Sequence, residues 1–311
     1  DSISLSNITN PGPYTVISID ESSGIRNGTY YSGSTIYYPS NGNNLSSVVL
    51  VPGYMNTEFT IQNWGPFLAS YGIVTMTIGT NALTDNEFDR RDALQDAIVS
   101  LKDEDARFLS PLFGRLNLNS ISVGGFSKGG GGAQLVPSID PSIKAIISLY
   151  PWLDNPTYSD LNHDVPLMII SGQLDLFAPP SMHADIHYNL TPNSTKKIKY
   201  EIAFASHDAL SGPYAGAGDV GVRVVSWLQT FLLNDSCYCP IATLNPISSS
   251  SFVTNVNCSN ITVNSKHFVN SNFKKRLKII DFFGREIDSQ INTPFIVIYN
   301  DGTLEKRIVL E

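Results

Sequence analysis

The most constraining part of the chain is Ile121-Ser122-Val123-Gly124-Gly125-Phe126-Ser127-Lys128-Gly129-Gly130-Gly131-Gly132-Ala133. It opens with the apolar alternation of a strand. It passes through Gly125-Phe126-Ser127-Lys128-Gly129, of the form G-x-S-x-G, and enters a helix-compatible run from Gly130 to Ile139. Strand, sharp turn and helix in that order form a nucleophile elbow, with the serine on a strained turn and its Oγ exposed. Gly125 and Gly129 leave room where strand and helix cross. The helix N-terminus behind Ser127 offers backbone N–H groups and a partial positive charge. A flexible glycine loop is the competing reading, and the flanking strand and helix patterns argue against it.

The rest of the chain supplies the context such an elbow needs. Strands are expected over Tyr14–Ile19, Thr29–Pro39, Ser47–Pro52, Ile73–Ile78, Asn119–Gly124, Lys144–Leu149, Val165–Ser171 and Lys197–Ala203. Helical spacing covers Ile61–Tyr71, Phe88–Phe108 (with an acid-rich face), Pro180–Leu190 and Val220–Leu233. Ser47-Val48-Val49-Leu50-Val51 has the near-continuous apolar character of a strand buried on both faces. Alternating strands and helices predict an α/β fold with a mostly parallel sheet covered on both sides. In such sheets, chemistry sits at the carboxyl ends of the strands. A linker is expected around Ser248-Ser249-Ser250-Ser251. Beyond Asn270 a compact β pattern follows, with Asp301-Gly302 as a hairpin turn. The division expected is residues 1–260, a catalytic domain, and 261–311, a small all-β domain.

A serine hydroxyl needs a base, and the base needs an orienting group. On this kind of sheet the acid follows the serine and the histidine comes last. Asp175 lies just past the Leu167–Ser171 run, and His207 just past the next strand. Asp175 has an alternative role as a helix cap. Asp154 and Asp208 compete for the acid's role, but neither follows the strand before the histidine. His163 falls in a polar loop, and His267 lies outside the sheet domain. His183 and His187 stand at i, i+4, where surface or packing roles outweigh a metal site. The backbone N–H groups of Lys128 and Tyr54 are the expected oxyanion donors. Tyr54 and Trp152 are placed to offer rings to the same cleft.

The net charge of −8 and the lack of a basic run with interleaved aromatics argue against nucleic acid. At 15% charged residues, most of the surface must be neutral and polar. No apolar stretch is long enough to span a membrane. Asp1 opens no signal-peptide pattern, so the chain reads as already processed or as starting downstream of a signal. Cys237, Cys239 and Cys258 without a nearby histidine make a poor zinc set. One disulfide to Cys258 with one thiol left over points to an oxidising compartment. No cofactor or metal is expected.

Gly53-Tyr54, the Gly125–Gly132 stretch, Pro151-Trp152, Leu174-Asp175 with Ala178-Pro179, Ser206-His207 and Ser226-Trp227-Leu228 together resemble the bacterial polyester hydrolases. These are the cutinase and poly(ethylene terephthalate) hydrolase group of the α/β-hydrolases. The resemblance spans about Asn10 to Cys258. It implies a shallow, lidless cleft for an ester polymer, with Tyr54 and Trp152 flanking an aromatic or acyl unit. It also implies a Cys239–Cys258 disulfide, leaving Cys237 unpaired. Three residues depart from the family pattern. Phe126 stands where the family has His, Lys128 where it has Met or Trp, and Phe177 where a smaller aliphatic is common. Phe126 and Phe177 are therefore added to the expected substrate-binding residues, and Lys128 brings a charge either to the site or to solvent. The tail from Lys274, including Leu277–Ile287 and Asn300–Val309, resembles the C-terminal sorting domain of the Bacteroidetes type IX secretion system. That implies secretion, free or attached to the cell surface, with the secretion machinery as partner.

The function expected is a monomeric serine ester hydrolase that cleaves polyesters through an acyl-enzyme. One alternative is a lipase or carboxylesterase for small or triglyceride esters. Another, of a different class, is a non-catalytic surface-binding protein.

Overall fold

The computed structural model describes residues 8, 11–208, 212–260, 276–281, 285–287, 295–299 and 304–307. The chain falls into two compact units, Asp1–Asn264 and Ser265–Glu311.

Among the described residues, the first unit is built on a nine-stranded sheet in the order β1-β2-β4-β3-β5-β6-β7-β8-β9. The strands are β1 (Val16–Asp20), β2 (Ser34–Pro39), β3 (Leu45–Val51), β4 (Val74–Ile78), β5 (Leu116–Phe126), β6 (Ile146–Leu149), β7 (Leu167–Gly172), β8 (Lys197–Ile202) and β9 (Ser249–Thr254). From β4 through β3, β5, β6 and β7 to β8 every pairing is parallel. β1, β2 and β9 add antiparallel edges. This is the α/β-hydrolase fold.

The apolar run in β3 shows why the sheet is covered twice. Val49 and Val51 join a core with Met76, Ile98, Leu101, Val123 and Ile169. Val48 and Leu50, on the opposite pleat, join another with Trp64, Phe67, Ile147, Ile170, Trp227 and Leu228. Helices α2 (Glu87–Ala106), α3 (Lys128–Leu135) and α4 (Ala184–Leu190) contribute to the first core. Helices α1 (Trp64–Ala69) and α5 (Asp219–Phe231) contribute to the second. Fully burying each Leu, Ile or Phe contributes about 1.5–3 kcal/mol.

Several elements differ from the sequence expectation, each for a physical reason. The serine-rich stretch expected as a linker is strand β9, whose backbone pairs antiparallel with β8 from Ile198↔Thr254 to Ile202↔Ser249. Residues 29–33 are not strand, and β2 begins at Ser34. Helix α1 is shorter than its apolar pattern. A 3₁₀ turn at Glu58–Thr60 and a further turn occupy the preceding residues. Helix α2 opens on a capping box in which Asn86 and Asp89 satisfy each other's backbone N–H groups. Its acids are partly buried and paired: Asp96 with Arg26 at 2.7 Å, and Glu104 with Arg107 at 2.6 Å. A short helix, α6 (Cys239–Thr243), carries the buried Cys239 that is bonded to Cys258, while Cys237 is exposed and free.

In the second unit, β10 (Arg276–Ile280), β11 (Phe295–Tyr299) and β12 (Leu304–Arg307) form an antiparallel sheet in that order. The expected Asp301-Gly302 turn, His267, Gly284 and residues 308–310 lie outside the described residues.

Candidate active site

Strand β5 delivers Ser127 to the carboxyl edge of the sheet, and α3 begins at the next residue. Ser127 has φ 55° and ψ −121°, a conformation that non-glycine residues avoid. The turn is held by the backbone on both sides. Ser127 N–H donates to Leu149 O at 2.8 Å, and Ser127 O accepts from Gly131 at 3.0 Å and Trp152 at 3.0 Å. Close packing explains the local glycines. A methyl group on Gly129 would lie 2.5 Å from both Val51 O and Pro52 O. The helix therefore starts at Lys128, two residues before the expected Gly130, because Gly129 must already be in the helix to pass β3.

Asp175 follows β7 and is almost fully buried. Its Oδ2 meets His207 Nδ1 at 2.6 Å. Its Oδ1 accepts from the N–H groups of Phe177 at 2.9 Å and Ala178 at 2.8 Å. The capping alternative and the acid role are thus two ends of one carboxylate. The imidazole of His207 packs against Phe126 (ring centroids 4.8 Å), Phe177 (5.7 Å) and Tyr150 (5.9 Å). Phe126, expected to line the cleft, is only 4% exposed. It forms a floor beneath the histidine, next in sequence to the serine. Phe177 is 72% exposed and presents a face to solvent beside the histidine.

The loop after β3 passes directly over the serine. A methyl group on Gly53 would lie 2.8 Å from Ser127 Cβ. In that loop the N–H of Met55 is engaged by Leu83 O and that of Asn56 by Gly53 O. The loop is tethered from below by Arg90, which is fully buried and donates to Pro52 O at 3.1 Å and Leu83 O at 3.2 Å. Burial pushes the Arg90 guanidinium down to about 10, which keeps it charged at neutral pH. Lys128 is the first residue of α3, so its N–H has no acceptor within the helix.

Asp154, His183 and His187 are engaged with other partners. Asp154 bonds the Trp152 indole Nε1 at 2.7 Å rather than any histidine. Of the surface and packing roles expected for His183 and His187, both take the packing one and are buried. His183 lies against the Trp152 ring at 4.3 Å, and His187 Nδ1 meets Gln134 at 3.2 Å. Burial pushes the His183 imidazole down, and that of His187 down to about 3.

Sequence reasoning missed Glu87. Its side chain, almost fully buried at the start of α2, bonds Lys128 Nζ at 3.2 Å and the Asp154 N–H at 3.0 Å. Only its place in the first turn of a capped helix hinted at a local role. The Lys128 ammonium is thus spent on an ion pair rather than pointed simply at solvent or at a free site. It also reaches Asp154 at 3.4 Å and lies 5.7 Å over the Tyr54 ring.

A family model described as PETase, PET hydrolase-like, matches residues 4–259. The chain belongs to the PET hydrolase-like family. Cutinase est1 of Thermobifida alba is 34% identical over 208 residues, covering 67% of this chain and 68% of that protein. Cutinase 1 of Thermobifida cellulosilytica is 34% identical over 227 residues, covering 73% and 83%. A bis(hydroxyethyl) terephthalate hydrolase of Streptomyces coelicolor is 31% identical over 236 residues, covering 74% and 72%. Among the described residues, no helix of this PET hydrolase-like chain is long and apolar enough to cross a membrane.

Proposed function

We propose that this chain is a serine hydrolase that cleaves polyesters through an acyl-enzyme on Ser127. That it is a carboxylic ester hydrolase follows from its family and relatives. The observation that carries the serine mechanism is the Asp175–His207 bond beside the strained Ser127 turn. An ionised Asp175 can only accept, so Nδ1 of His207 carries the proton and Nε2 is left as a base. In the mechanism Nε2 takes the Ser127 Oγ proton as Oγ attacks the ester carbonyl. The bond between those two groups is of a kind that commonly tightens only around substrate. The N–H groups of Tyr54 and Lys128 stabilise the oxyanion, and the leaving alcohol takes the proton from His207. Water then attacks the acyl-enzyme by the same proton route. Tyr54, Trp152 and Phe177 offer ring surface to the acyl unit, and Phe126 supports the imidazole.

Polyester is preferred over triglyceride because two of the relatives named above are cutinases, and the bis(hydroxyethyl) terephthalate hydrolase points to aromatic esters. Exposed Tyr54, Leu176, Phe177 and Phe204 around the site suit a solid apolar substrate. Ser127→Ala is expected to remove nearly all release of soluble product from polyester film and from short acyl esters, with the fold retained by circular dichroism. Retained hydrolysis would refute the assignment. Faster turnover of triglyceride than of film by the native enzyme would favour the lipase reading.

We further propose that the β10–β12 unit directs export, in line with the disulfide and with the resemblance of the tail to a type IX sorting domain. Removing residues 265–311 is expected to stop secretion in a host carrying that system while leaving ester hydrolysis in lysates intact. Secretion of the shortened chain would sink the idea.

A further inference from the structure

A closed polar ring links Tyr54 to Trp152. Lys128 Nζ bonds Glu87 Oε2 at 3.2 Å and Asp154 Oδ2 at 3.4 Å. Glu87 Oε1 closes the ring by accepting from the Asp154 backbone N–H at 3.0 Å. Asp154 Oδ1 then receives the Trp152 indole N–H at 2.7 Å. The same ammonium lies over the Tyr54 ring. We propose that Asp154, fixed by Lys128 and Glu87, is a positioning residue that sets the angle of the Trp152 indole and so the enzyme's preference for aromatic acyl units. This rests on the reading of Ser127 as the nucleophile of the adjoining site.

Charge decides what the ring is for. Two carboxylates face one ammonium, so the cluster carries a net negative charge and cannot recruit an anionic substrate end. Arg90, one turn along α2 from Glu87, is occupied with the carbonyls of Pro52 and Leu83. An exposed ion pair alone would hold nothing firmly. Here the Glu87 side chain is 4% exposed and that of Lys128 18%, so the half of the ring away from Asp154 is packed into place. Asp154 is the exposed end that this half holds. Trp152 is then gripped on two sides, by Asp154 at the indole nitrogen and by the buried, neutral His183 against its ring face. A pinned indole gives up less rotamer freedom when a planar acyl group binds, so the aromatic contact is stronger. A short aliphatic acyl group uses little of that ring and gains little.

The chain has three tryptophans, and Trp64 and Trp227 are 2% and 0% exposed. Acrylamide quenching of intrinsic fluorescence therefore reads Trp152. In Asp154→Ala the quenching constant is expected to rise. kcat/KM for bis(hydroxyethyl) terephthalate is expected to fall by about three- to tenfold, mainly through KM, with ethyl butyrate turnover unchanged. Asp154→Asn keeps an acceptor oxygen for the indole and the backbone N–H for Glu87 but turns an NH₂ toward the Lys128 ammonium, and is expected to restore both readouts in part. Unchanged quenching in Asp154→Ala, or equal losses on both esters, would overturn the proposal. Hydrolysis surviving in Ser127→Ala would instead refute the nucleophile assignment, and the quenching result would stand apart from it.

Discussion

Asp175 uses both carboxylate oxygens, one for the imidazole and one for two backbone N–H groups. That division yields a residue-scale prediction. Asn at this position can keep its carbonyl oxygen on the Phe177 and Ala178 N–H groups, which leaves its NH₂ facing His207 Nδ1. Nδ1 must then accept, the ring proton moves to Nε2, and the base is lost. Asp175→Asn is expected to lower kcat by about 10³–10⁴-fold with little change in melting temperature. Steady-state kinetics on a soluble ester check this, and near-native turnover would contradict it. Ser127, Asp175 and His207 were legible in the sequence because each follows a strand end and so announces its place. Lys128, Glu87 and Asp154 were not legible as a set. Their contacts join residues 26, 41 and 67 positions apart, and no local pattern records them. Phe126 was misread in one respect. Its position beside the serine was clear, but whether its ring faced substrate or histidine depended on packing.

At the scale of elements, the buried strands were the most legible. β3 and β7 carry near-continuous apolar runs, and β4 alternates apolar residues with buried threonines, because both faces of the sheet are covered. Helix α3 was partly hidden. Four consecutive glycines disfavour helix by about 1 kcal/mol each relative to alanine, yet the close approach of β3 to Gly129, β6 to Gly130, the Trp152 loop to Gly131 and α2 to Gly132 leaves little room for anything larger. A methyl group on Gly131 would lie 1.9 Å from Trp152 O. Propensity therefore pointed away from the true helix start, and tertiary packing prevailed. β9 was hidden for the opposite reason. Ser249-Ser250-Ser251 has linker composition, and only the unpaired edge of β8, invisible in a local window, makes it a strand. The acids of α2 were read correctly as clustered, but their arginine partners come from other parts of the chain or from the end of the helix.

Across the whole molecule, burial of neutral histidines gives a pH dependence whose sign is fixed. Burial pushes His163 down to about 4 and His187 down to about 3, against an ordinary value of 6.5. Above pH 6.5 both are neutral, folded or unfolded, and contribute no pH dependence. Below it the unfolded chain binds protons that the folded chain refuses, so stability falls with pH until the folded values are reached. The melting temperature is expected to drop between pH 6.5 and 4.5. In His187→Gln, which can still meet Gln134, the fall in unfolding free energy is expected to be shallower by up to about 1.4 kcal/mol per pH unit. Parallel slopes for the two proteins would show that His187 is not the source. The polar ring around Lys128 and the tethered β3 loop both support the carboxyl edge of the sheet, where the strained serine stands. The most direct test of that arrangement is covalent labelling. An organophosphonate ester incubated with the native enzyme, followed by peptide mass mapping, is expected to place one adduct on Ser127, with hydrolysis lost in proportion. An adduct on another residue, or full activity after Ser127 is labelled, would contradict the account.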